Sequence, residues 1–167
     1  MAASTHKKVL VRRWNAPPIP GHASPQSYLR SEGVEVLTRE GQVLQIPYKE
    51  LKAVYFVREF ENAGSADEKK LFQSRPKLEG LWVRMRFRDD DLLDGILPND
   101  LLQVTEAGVT VTPPDPYSNN QKIFVPREAV RELVVLGVIG SPLAKPRARR
   151  RPAAKEQIDL FESNIEK

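Results

Sequence analysis

Two stretches of this chain read as one pattern written twice. Gly33 to Val57 is "GVEVLTREGQVLQIPYKELKAVYFV", and Gly108 to Leu136 is "GVTVTPPDPYSNNQKIFVPREAVRELVVL". Gly33-Val34-x-Val36 aligns with Gly108-Val109-x-Val111, and Ile46-Pro47 falls on Val125-Pro126 once the second loop is allowed four extra residues. Beyond the proline the register is unbroken, with Leu51, Val54, Phe56 and Val57 matching Val130, Leu133, Val135 and Leu136. Upstream, Lys8–Trp14 corresponds to Trp82–Phe87, and Gly21 to Gly95. An ordered series of this kind constrains the fold more than any single motif, because a chain of 167 residues with two copies must be a tandem of small units.

Each copy reads as strands. In "LWVRMRFR", Leu81, Val83, Met85 and Phe87 alternate with Trp82, Arg84, Arg86 and Arg88, the period of a strand with one wet face. The acids and Gly95 in "RDDDLLDGIL" form a turn, and "PPDPYSNN" marks a loop. The prolines at 47 and 126 stand where a strand ends without needing an N–H. This makes about five strands per copy, the size at which a small sheet closes on itself and hides its edges. Between the copies, "SADEKKLFQ" offers Ser65 as the N-cap of a short helix. Trp14 and Trp82, in the first strands of the two units, are expected in core or inter-unit packing.

The second copy resembles an Sm-like small barrel. The residues that carry the likeness are Val83, Met85 and Phe87, the Arg88-Asp89 turn, Leu93-Asp94-Gly95-Ile96-Leu97, and the closing segment "IFVPREAVREL". Asp90 takes the place of the first turn glycine. The resemblance implies a barrel but not the family's RNA site. Its Asp…Asn and Arg-Gly or Lys-Gly pairs have no counterpart in "LPNDLLQVTEAG" or "KIFVPRE". The arginine and Asp/Asn-x-Ser signals of PilZ-type cyclic-dinucleotide receptors are absent, and the body is also similar to bacterial proteins of unknown function with "SNN…IFVP" segments. The expected fold is mainly β: two tandem five-stranded small barrels, Sm-like or SH3-like, at 7–60 and 80–141. A linker at 61–79 joins them, and a disordered tail follows at 142–167.

Catalytic residues are not evident in the sequence. His6 lies near the start and His22 in a proline-rich loop, both read as solvated loop residues, and no nucleophile is paired with a base. Asp89, Asp90, Asp91 and Asp94 lack EF-hand spacing and read as a charged turn rather than a metal site. No glycine-rich phosphate loop and no cysteine is present, so thiolate metal sites and disulfides are excluded. No enzyme activity, cofactor or metal is expected. Asp115–Gln121, "DPYSNNQ", is the most unusual body segment. Tyr117, Asn119 and Asn120 there are candidate ligand contacts, against the alternative of a loop held by Asx turns.

The charge is unevenly laid out. Residues 1–141 hold 19 Lys and Arg against 18 Asp and Glu, whereas 142–155 hold six basic residues and no acid. Arg147, Arg149, Arg150 and Arg151 form a cationic patch suited to nucleic-acid phosphates without sequence reading, or to a solubilising linker. Prolines 142, 146 and 152 and low hydrophobicity favour disorder there. "QIDLF" then resembles, position by position, the peptide with which bacterial replication and repair proteins dock on the DNA sliding clamp. The fit is Gln157, Ile158, Asp159, Leu160 and Phe161, with Ile for the commoner Leu. In the competing reading, Ile158, Phe161 and Ile165 form an amphipathic turn that docks on the body or on another subunit.

The chain has no apolar run long enough to span a membrane and no signal-like h-region, so a cytoplasmic location is expected, with no membrane partner. The function expected is that of a non-enzymatic bacterial accessory protein at DNA, docked on the clamp by its tail. The alternative is a small-barrel module that binds RNA or protein, with the tail closing a homo-oligomer.

Overall fold

A computed structural model describes residues 5–61, 68–117 and 119–140. The architecture is mainly β. The strands are β1 (Lys7–Arg13), β2 (Ile19–Ala23), β3 (Gly33–Thr38), β4 (Val43–Pro47), β5 (Leu51–Val57), β6 (Gly80–Phe87), β7 (Leu92–Leu97), β8 (Gly108–Val111), β9 (Asn120–Pro126) and β10 (Val130–Ile139). Among the described residues no helix is long and apolar enough to cross a membrane.

The duplication holds to the level of strand register. Val9 pairs with Gly21 as Val83 pairs with Gly95. Gly33 pairs with Pro47 as Gly108 pairs with Pro126. Each proline leads into one 3₁₀ turn, Tyr48–Glu50 or Arg127–Ala129, because its fixed φ and missing N–H suit the first position of a turn. The strand after each turn carries the same bulge, which leaves out Lys52 in β5 and Arg131 in β10. Gly21 and Gly95 are needed for a shared reason of space. A Cβ on Gly21 would come within 2.6 Å of the Leu37 carbonyl oxygen and the Val36 side chain, and one on Gly95 within 2.7 Å of Val111.

The two closed barrels expected from the sequence are not formed. β4-β3-β2-β1-β5-β9-β8 make one open seven-stranded sheet, and β10-β6-β7 make a second sheet of three. A bridge between Ile96 and Thr112 links β7 to β8. Within each copy the strands follow one another in the same order. The last strand of the first copy, however, does not turn back to its own β4. It takes β9 of the second copy instead, with Val54 opposite Phe124 and Tyr55 opposite Ile123. An edge that finds a partner in the other copy has no need to close on its own.

That joint divides the core in two. Leu51, Val54 and Phe56 of β5 face one cluster with Val9, Val11, Val34, Val36, Tyr28 and Phe124. Ala53, Tyr55 and Val57 face the other, with Leu10, Val83, Met85, Phe87 and Ile123. Strand β5 is therefore a wall shared by both cores, and its unbroken apolar run suits burial on both faces. Trp14 packs edge-on against Phe87 of the second copy at 6.4 Å, the inter-unit packing expected of it, and Trp82 packs against Phe72 at 6.0 Å.

Residues 68–79 run without a helix, and Ser65 lies outside the described residues. Fully buried Asp94 fixes this segment. Its carboxylate accepts from Arg84 at 2.6 and 2.9 Å and from the Phe72 N–H at 3.1 Å, and its own N–H donates to the Lys70 carbonyl at 2.7 Å.

Candidate interaction site

The seam between the copies holds a cavity of about 640 Å³, within the range of small-molecule sites. Phe56 of β5, Thr110 of β8, Lys122 of β9, Lys7 of β1 and Tyr28 are among its lining residues. The Tyr28 ring is held edge-on by Phe56 at 5.3 Å and Phe124 at 5.7 Å. Burial pushes the Tyr28 phenol up to about 12, ahead of the lowering effect of its hydrogen bond with the Thr110 side chain. Tyr28 is thus a neutral hydrogen-bonding group at physiological pH and not a base. An apolar floor, hydroxyls and two lysines suit a ligand with an apolar body and a negative charge.

The acidic run forms a turn between β6 and β7. Lys52 reaches Asp89 at 2.5 Å and Asp91 at 3.1 Å, and its ammonium lies 5.4 Å from the centre of the Trp14 ring and 5.1 Å from that of Phe87. Asp91 also accepts from Lys70 at 2.8 Å. Burial raises the Asp91 carboxyl, but the hydrogen bonds from Lys70 and Lys52 outweigh it and the net shift is downward. Asp90 adopts φ 63°, the left-handed conformation a turn glycine would supply, and pairs with Arg131 at 3.2 Å. Among the described residues no group of three or more His, Cys, Asp or Glu side chains could hold a metal ion.

The amide-rich loop spends two of its three singled-out side chains on the fold. Asn119 accepts from the N–H groups of Arg58 at 3.1 Å and Glu59 at 2.8 Å and donates to the Glu59 carbonyl at 2.8 Å, closing the end of β5. Asn120 is buried and donates to Glu68 at 2.7 Å. Glu68 in turn pairs with Arg12 at 3.0 Å, and burial, the largest influence on its carboxyl, raises it despite that cation. Tyr117 stands apart from them, with its side chain exposed. His22 packs edge-on against Phe60 at 5.5 Å. The tail residues Arg147, Arg149, Arg150, Arg151 and Gln157–Phe161 lie outside the described residues.

Sequence reasoning missed two surfaces. One is the seam cavity, which depends on β5 and β9 pairing although they lie far apart in the chain, Val54 with Phe124 for example. The other is β10, where Leu133, Val134, Val135, Leu136 and Val138 are exposed. Its signal was present: "LVVLGVI" is apolar at successive positions, the pattern of a strand covered on both faces.

No curated protein and no solved structure matches the chain. Residues 5–137, nearly all of both copies, match the model of a family of unknown function, DUF6982, and the chain belongs to that family.

Proposed function

We propose that this chain is a non-enzymatic accessory protein of bacterial DNA replication or repair, tethered to the sliding clamp by Gln157–Phe161. The observation that carries the proposal is the position-by-position fit of Gln157, Ile158, Asp159, Leu160 and Phe161 to the clamp-docking peptide. The fit begins after the last strand of the body, beyond a Pro- and Arg-rich stretch. Leu160 and Phe161 supply apolar bulk for a pocket, and the Gln157 amide supplies a directional hydrogen bond. A five-residue peptide gives modest affinity alone. Arg147, Arg149, Arg150 and Arg151 add salt-dependent attraction to the DNA that the clamp encircles. The location that goes with this role is the cytoplasm. The body is consistent with a structural part in it, since Asp89, Asp90, Asp91, Asp94, Asn119 and Asn120 are engaged with neighbouring groups of the fold.

Retention of the full chain on an immobilised bacterial sliding clamp tests the proposal. The intact chain is retained, and Phe161→Ala or Gln157→Ala releases it. Equal retention of these variants, or none of the intact chain, contradicts the proposal. The seam cavity favours a second reading, a β module that itself binds RNA or protein. Under it, charge reversal at Lys7 and Lys122 abolishes binding while the tail variants retain it.

A further inference from the structure

Strands β5 and β10 are the same strand of the repeat, yet one is buried and the other is not. Val54, Tyr55, Phe56 and Val57 are 0, 5, 7 and 4 % exposed, whereas their counterparts Leu133, Val134, Val135 and Leu136 are 40, 42, 51 and 42 % exposed. The two strands also differ at their edges. Strand β5 has neighbours on both edges, β1 and β9, whereas β10 has only β6 among the described strands. The counterpart of β9 in the first copy is β4, an end strand of the seven-stranded sheet with only β3 beside it among the described strands.

We infer that β10 of one chain adds to β4 of a second copy of this chain, in the register by which β5 takes β9. The internal joint is the template. Val54 opposite Phe124, Tyr55 opposite Ile123 and Phe56 opposite Lys122 translate to Leu133 opposite Gln45, Val134 opposite Leu44 and Val135 opposite Val43. Val135 and Val43, which meet in this register, are 51 and 65 % exposed in the single chain. Edge strands of soluble proteins are usually guarded by charge, by inward-turned polar groups or by a covering segment. Neither Val43–Pro47 nor Leu133–Ile139 contains a charged residue, so no like-charge contact opposes the pairing. Each copy brings one β10 and one β4, so the contact is head-to-tail and each chain can engage two others. Gln45 stands where Phe124 fills the internal joint, which makes the joint between chains the weaker of the two. The inference does not depend on the clamp reading, whose residues all lie in the tail.

Native mass spectrometry and light scattering of the full chain over a range of micromolar concentrations test it. The intact chain forms assemblies of two or more copies. Val135→Lys blocks the β10 side and Val43→Lys the β4 side, and both positions are exposed, so circular dichroism and the melting temperature stay near those of the intact chain. Each variant alone is monomeric. Their equimolar mixture forms a one-to-one dimer and nothing larger, because each supplies the edge that the other lacks. A monomeric intact chain at every concentration overturns the inference. So does a Val43→Lys variant that assembles as the intact chain does, or a mixture that fails to dimerise. A full chain that assembles only after removal of residues 141–167 also overturns it, because the tail is then the occupant of β10.

Discussion

Val54 lies opposite Phe124 in the ladder that joins the two copies, and Phe124 carries its ring into the core of the first copy although it belongs to the second. The ring meets Tyr28 at 5.7 Å and Tyr48 at 6.5 Å. One copy therefore completes the other, and the body melts as a unit. Phe124→Ala leaves a cavity in a core shared across the joint and costs about 3–5 kcal/mol. Thermal unfolding followed by circular dichroism shows one transition, lowered by roughly 10 °C or more. A normal melt for this variant contradicts the shared core.

The paired glycines allow the repeat to be tested symmetrically. Gly21→Ala and Gly95→Ala each place a methyl group within about 2.7 Å of atoms on the neighbouring strand. Overpacking of this kind costs about 1–3 kcal/mol, and the two variants lose similar amounts because the same contact is crowded in each copy. Chemical denaturation gives both values directly.

Asp90 occupies a left-handed position that glycine would adopt freely. Asp90→Gly leaves stability within about 0.5 kcal/mol, since its ion pair with Arg131 is exposed and contributes little. Asp90→Val costs about 1–2 kcal/mol through the steric penalty on that conformation. Equal stability of the two variants contradicts the backbone argument.

Asp91 gives the body an acid-sensitive contribution. Its folded pKa lies below the ordinary 3.8, so the contribution is complete above that value and is lost as pH falls through the lower folded value. Asp91→Asn lacks it. The stability gap between the intact chain and this variant is widest above pH 3.8 and narrows in more acid solution. A gap that widens on acidification contradicts the assignment. Denaturant midpoints between pH 2 and pH 6, a range of roughly two units either side of the ordinary carboxyl value, follow it.

The strands were legible in the sequence because their signals are local. Alternation at Leu81–Arg88, the Gly-Val starts at 33 and 108, and the apolar-Pro steps at 47 and 126 each fix geometry within a few residues. Asp90 in the glycine position was visible for the same reason. Closure was misread because it depends on which distant edge a strand meets. Nothing near β5 states that it pairs with β9, although "AVYFV" asks for cover on both faces. The amides of "SNN" were legible as unusual, but the groups they serve, the end of β5 for Asn119 and Glu68 between the copies for Asn120, lie far away in the chain.

Amide hydrogen exchange across a concentration series bears most directly on the duplicated strand and its missing neighbour. The amides of Val54–Val57 exchange slowly at every concentration, because β5 is paired on both edges. The outward amides of Leu133–Leu136 exchange fast in dilute solution and slow down as concentration rises, together with those of Val43–Gln45, and Val135→Lys abolishes the change. Equal protection of β5 and β10 at all concentrations, or a β10 that stays fast at the highest, contradicts the account.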